Sequence, residues 1–124
     1  MRRILVVDDS LLIREAARVV LESDGEFAVR TAENGAVGLD AALAERPDAI
    51  LLDVVMPGID GPATLQALRA RPETRDIPVV LVTGLDDDED RRAFAALDVA
   101  GVIAKPFDPG ALTGQVRDAL GWGA

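Results

Sequence analysis

Short apolar runs in this chain end on residues able to do chemistry. Ile4-Leu5-Val6-Val7 stops at Asp8-Asp9, and Ala49-Ile50-Leu51-Leu52 stops at Asp53. Val79-Val80-Leu81-Val82 stops at Thr83, and Val102-Ile103-Ala104 stops at Lys105-Pro106. Lys105 is the only lysine; every other basic residue is an arginine. Brought together, the three carboxylates would repel one another. Two unit negative charges about 4 Å apart cost about 4 kcal/mol at an effective dielectric near 20. Such a group needs a cation, while a hydroxyl and an ammonium suit phosphoryl oxygens. The residue types therefore point to phosphoryl transfer, provided that the fold gathers them.

The apolar runs are too short for helices and do not alternate, which is the pattern of parallel strands buried on both faces. A weaker run, Phe27-Ala28-Val29, adds a fifth. Helical patterns lie between them. Ser10 caps a helix from Leu11 to about Glu22, with Ile13, Ala17 and Val20 inward. Asn34 caps a second, with the apolar residues Val37, Leu39, Ala42 and Leu43, stopped by Pro47. Gly61-Pro62 opens a third through Leu65 and Leu68, since proline is preorganised for the first helical position. The acidic run Asp86 to Asp90 suits the positive end of a fourth helix, followed by Phe94 and Leu97. Asp108-Pro109 opens a fifth, with Leu112, Val116 and Leu120 inward. Strands alternating with helices imply a doubly wound α/β fold with a five-stranded parallel sheet. Its strand ends share one edge, and the crevice lies where strand order reverses, between the first and third strands. Those strands carry Asp8-Asp9 and Asp53.

Composition narrows the partners. A chain of 124 residues with 49% hydrophobic content reads as one domain with a core. The net charge of −9 argues against nucleic acid or an anionic membrane as a direct partner. There is no cysteine for thiolate or disulfide chemistry, and no histidine to act as base or ligand. The first apolar run is far shorter than a signal-peptide core or a membrane span, so the chain reads as cytoplasmic.

These residues carry a family resemblance over Arg3 to about Leu120. The landmarks are Ile4-Leu5-Val6-Val7-Asp8-Asp9-Ser10, Thr31-Ala32-Glu33-Asn34-Gly35, Leu52-Asp53-Val54-Val55-Met56-Pro57-Gly58-Ile59-Asp60-Gly61, Pro78 to Thr83, and Ala104-Lys105-Pro106-Phe107. In that order and strand context, the chain resembles the receiver domain of two-component response regulators, of the single-domain chemotaxis type. The resemblance implies a flavodoxin-like (βα)5 fold with strand order 2-1-3-4-5, and one receiver domain over residues 1–124. It implies that Asp53 accepts a phosphoryl group from a histidine, on a histidine kinase or a histidine phosphotransfer protein. It implies Mg²⁺ as cofactor, bound directly by Asp9, through water by Asp8, and by Asp53 and the backbone carbonyl of Val55. Thr83 and Lys105 would hold phosphoryl oxygens, the latter aimed by a cis Lys105-Pro106 bond. Leu12, Ile13 and Ala16 on the first helix would meet the phosphodonor. The expected function is a signalling switch that passes its state on through contacts with a downstream protein. It would not be an enzyme beyond its own phosphorylation and slow dephosphorylation.

Taken singly, the same residues have plainer readings. Asp8-Asp9 could cap a helix, Asp53 could begin a turn, Thr83 could be structural and Lys105 a solvated surface residue. Their joint placement at strand ends favours the site. Trp122, between Gly121 and Gly123, reads as a mobile terminal residue. Three departures from the family pattern stand out. Val102 stands three residues before the lysine, where an aromatic ring is usual, so the switch is expected in Gly84 to Asp87 and the helix that follows. Val55 and Leu85 are apolar where polar residues commonly tune hydrolysis. Asp98-Val99 replaces the usual Gly-Ala before the last strand. Two rival functions remain. A small-molecule aspartyl-phosphate phosphatase or phosphotransferase would carry an Asp-x-Asp nucleophile and a cap insertion, neither of which is visible. A phosphorylation-independent interaction module would have no need of these site residues.

Overall fold

The computed structural model describes residues 2–23, 25–54, 56, 58, 60–84, 97–105 and 108–122. Five parallel strands form one sheet in the order β2-β1-β3-β4-β5. They are β1 (Arg2–Val7), β2 (Phe27–Ala32), β3 (Ala49–Asp53), β4 (Val79–Thr83) and β5 (Gly101–Ala104). The helices among the described residues are α1 (Leu11–Glu22), α2 (Gly35–Glu45), α3 (Gly61–Arg69) and α4 (Pro109–Leu120). The helix expected after Asp86, and Phe94 within it, lie outside the described residues.

Side chains along a strand alternate between faces, and the core divides accordingly. Leu5, Val7, Ile50, Leu52, Val79 and Leu81 pack with Ala42 of α2 and with Leu65 and Leu68 of α3. Ile4, Val6, Leu51, Val80, Val82 and Ile103 pack with Ala17 and Leu21 of α1 and with Leu112 and Val116 of α4. Every residue of β3 and β4 is buried, which explains why their sequences run apolar without alternation.

The caps expected at Ser10, Asn34 and Asp108 are present, and Asp60 supplies a fourth. Ser10 Oγ accepts from Ile13 N at 3.3 Å, Asn34 Oδ1 from Val37 N at 2.9 Å, Asp60 Oδ1 from Ala63 N at 2.9 Å, and Asp108 Oδ1 from Gly110 N at 2.9 Å. Two features differ from the apolar pattern of the sequence. Val37 does not face the core; it is 41% exposed, and α2 instead turns Gly35, Gly38 and Ala42 inward. The helix comes so close that a Cβ on Gly38 would lie 2.8 Å from a Val7 methyl. β2 also runs three residues beyond the expected Val29, to Ala32. It is an edge strand paired only with β1, so its polar residues Arg30 and Thr31 reach solvent and hide the strand in the sequence.

Trp122 is not a free end. Its ring lies 5.9 Å from that of Phe27, and the Arg2 guanidinium sits 4.2 Å over it. Arg117 lies over the other aromatic, 5.0 Å from the Phe27 centroid, and pairs with Glu26. The left-handed Gly121, at φ 70°, turns the chain so that Trp122 N donates to the Arg117 carbonyl at 2.9 Å.

Candidate functional site

Strand register brings the chemical residues to one edge. Val7 pairs with Leu52, so Asp8 and Asp53 each follow at the next position of adjacent strands. Asp53 pairs with Val82, and Thr83 with Ala104, so Thr83 and Lys105 complete the same edge. Lys105 N donates to the Thr83 carbonyl at 2.7 Å, extending the ladder by one bond. Beside the edge, Gly61 N donates to the Val54 carbonyl at 2.9 Å. A Cβ on Gly61 would lie 2.5 Å from the Asp53 carbonyl oxygen, so only glycine lets α3 begin directly over the end of β3.

Carboxylate oxygens of Asp8, Asp9 and Asp53 all lie within 4.8 Å of one another. Asp8 and Asp53 are buried, whereas Asp9 is exposed. Thr83 is buried as well, at the last position of β4. Lys105 Nζ bridges the buried pair, 2.8 Å from Asp8 Oδ2 and 3.1 Å from Asp53 Oδ1. Burial works against the ammonium charge, but the hydrogen bonds and charges of Asp8 and then Asp53 outweigh it. The Lys105 pKa is therefore held above its ordinary 10.5. The lysine thus offsets part of the carboxylate repulsion. Three carboxylates against one ammonium still leave an excess of negative charge.

A divalent cation fits that excess. The donors are hard oxygens, the class Mg²⁺ takes. Oxygens bound to one Mg²⁺ at 2.0–2.1 Å stand no more than about 4.2 Å apart, close to the spread seen here. Of the expected ligands, Asp8, Asp9 and Asp53 come together, while Val55 lies outside the described residues. So do Leu85 and Pro106, and with it the expected cis bond.

The edge gathers hard oxygen donors able to hold a divalent cation, and residues 4–117 match the response regulator receiver domain. The chain belongs to that family. Relatives agree with it. The transcriptional regulatory protein CseB of Streptomyces coelicolor is 35% identical over 117 residues, which are 94% of this chain and 48% of that protein. The response regulator PleD of Caulobacter vibrioides is 40% identical over 115 residues, 93% of this chain and 25% of that protein. The chain therefore spans half or less of the length of these curated relatives. Among solved structures, the chemotaxis response regulator CheY4 of Vibrio cholerae gives a TM-score of 0.88 at 30% identity, covering 96% of this chain and 98% of that one. A putative response regulator from Chloroflexus aurantiacus gives 0.87 at 32% identity, covering 97% and 98%. Receiver domains of two-component response regulators are phosphoacceptor switches.

Sequence reasoning overlooked one residue at the site. Arg14 of α1 donates through Nη1 to the Asp8 carbonyl at 2.8 Å. The signal was a cation near the positive end of a helix that starts directly after the aspartates. The departure at Asp98-Val99 also has a structural counterpart. Arg69 of α3 donates to the Asp98 carbonyl at 3.0 Å and approaches Asp98 Oδ2 at 3.3 Å, and Val99 packs against the core. Val102 is 37% exposed on β5.

Proposed function

We propose that residues 1–124 form a single receiver domain in which Asp53 is the phosphoacceptor. An Asp53 carboxylate oxygen attacks the phosphorus of a phosphohistidine on a histidine kinase or a histidine phosphotransfer protein. The O–P bond forms as the N–P bond breaks, and the electron pair returns to the imidazole nitrogen. Asp8, Asp9, Asp53 and the Val55 carbonyl would hold Mg²⁺, which offsets charge developing on the transferring group. Lys105 moves its ammonium from the Asp53 carboxylate to a phosphoryl oxygen, and Thr83 gives its hydroxyl to another. The donor docks against α1, where Leu11 and Leu12 are exposed beside the site. The phosphorylated state is passed to a downstream protein by surface contacts. The setting is cytoplasmic; among the described residues no helix is long and apolar enough to cross a membrane.

The observation that carries this reading is the pairing of a buried Asp53 carboxylate with the Lys105 ammonium at 3.1 Å, beside two further carboxylates. With Mg²⁺ and radiolabelled acetyl phosphate, the wild-type chain should take up label. Asp53→Asn, which keeps the shape but not the nucleophile, should take up none while remaining folded by circular dichroism. Comparable labelling of that variant would remove Asp53 from its role.

Val55 and Leu85 hold the positions that tune hydrolysis in the family pattern, and apolar side chains there would offer an attacking water no hydrogen-bond partner. The phosphorylated chain should therefore lose its phosphoryl group slowly by itself, and be reset by a phosphatase or by reverse transfer to a histidine.

A further inference from the structure

Asp8 is held at every polar atom. Its N donates to the Ala32 carbonyl at 3.1 Å, and its Oδ1 accepts from Ser10 N at 2.9 Å. Its Oδ2 accepts from Lys105, and its carbonyl oxygen accepts from Arg14 Nη1 at 2.8 Å. That carbonyl belongs to the peptide joining Asp8 to Asp9, and a peptide is a rigid plane. Fixing its oxygen fixes the direction in which the chain leaves toward Asp9. The Asp9 side chain is exposed and has no hydrogen-bond or ion-pair partner among the described residues, so the backbone it leaves from is the restraint that places it.

Arg14 has no other visible reason for its place. A cation near a helix N-terminus is disfavoured by about 0.3–1 kcal/mol. Arg14 makes no salt bridge among the described residues, whereas Arg18, one turn on, pairs with Glu15 and Glu22. Its single polar contact among the described residues is the Asp8 carbonyl.

We propose that Arg14 is a positioning residue for the cation site: by holding the Asp8–Asp9 peptide, it aims the Asp9 carboxylate toward those of Asp8 and Asp53. This rests on the reading of those three carboxylates as the divalent-cation site. Two effects of opposite sign meet at Arg14. As a bare positive charge it would repel a cation, and its removal would strengthen binding. As an anchor it preorganises the ligands, and its removal weakens binding. Partners that orient metal ligands typically change affinity by about 10–100-fold, so the anchor effect should win.

The test is Mg²⁺ titration by calorimetry of the wild-type chain, Arg14→Met and Arg14→Lys. Methionine keeps the apolar stem but loses donor and charge, and lysine keeps both. Arg14→Met should weaken Mg²⁺ by about tenfold or more, and Arg14→Lys should recover much of that loss. In acetyl phosphate labelling, the Mg²⁺ concentration for half-maximal rate should rise by the same factor in Arg14→Met. The rate at saturating Mg²⁺ should stay close to that of the wild type. Equal or tighter binding by Arg14→Met overturns the proposal, as does a lysine variant as weak as the methionine one. A wild-type chain that binds no Mg²⁺ removes the cation site itself, and the proposal with it.

Discussion

The two ends of the sheet handle charge in opposite ways. At the amino end, Arg2 lies over Trp122, Arg117 lies over Phe27, and Arg117 also pairs with Glu26. Both of these guanidiniums lie on an aromatic face. At the carboxyl end, three carboxylates share one ammonium. The first arrangement closes the core; the second leaves a charge that an incoming cation and phosphoryl group can complete. One sheet thus carries an end where aromatic rings cover the arginines and an end where carboxylates outnumber their cation.

Removing the ammonium should test this division most severely. Lys105→Met leaves Asp8 and Asp53 buried without their cation, at a cost of about 1–3 kcal/mol. In urea denaturation with EDTA the variant should be destabilised by that amount, and Mg²⁺ should restore more stability to it than to the wild type. Labelling by acetyl phosphate should fall sharply, because no ammonium remains to meet the phosphoryl oxygen. Lys105→Arg should also lose function, since a planar guanidinium does not replace a compact ammonium in a tight crevice. An equal loss of stability with and without Mg²⁺ would show that the carboxyl end holds no excess charge for a cation to offset.

The converse experiment is at Trp122. Trp122→Ala removes an aromatic pair and a cation–π contact, each worth about 0.5–1.5 kcal/mol. Stability in urea should fall by about 2 kcal/mol, while the rate of acetyl phosphate labelling should not change. A change in that rate would mean that the two ends are coupled through the sheet.

The smallest expected effect concerns how long the reactive end stays charged. Val55→Asn supplies an amide able to hold an attacking water. Loss of label from the isolated phosphorylated chain should speed up severalfold. An unchanged or slower rate would place the control of lifetime elsewhere.

Most of the fold, and the gathering of Asp8, Asp9, Asp53, Thr83 and Lys105 at one sheet edge, could be read from the residues alone. Asp8, Asp53, Thr83 and Lys105 were identifiable because a parallel sheet puts all its carboxyl ends on one edge, whatever the details of packing. The helices with side-chain caps at Ser10, Asn34 and Asp108 were legible because capping is local in sequence. What depended on distance in space was not legible. The apolar pattern of α2 included Val37, but the close approach of Gly38 to Val7 decided which face of α2 is buried. A tryptophan between glycines looked free until its ring met Phe27 and Arg2, residues about a hundred positions away. Arg14 looked like an ordinary helix cation, and only the path of the backbone put the Asp8 carbonyl within its reach. Sequence by itself determined which groups stand at the strand ends, since chain order and strand direction suffice for that. Tertiary structure alone decided which of those groups touch, because a hydrogen bond or a packed ring depends on differences of an ångström that no pattern of residue types records.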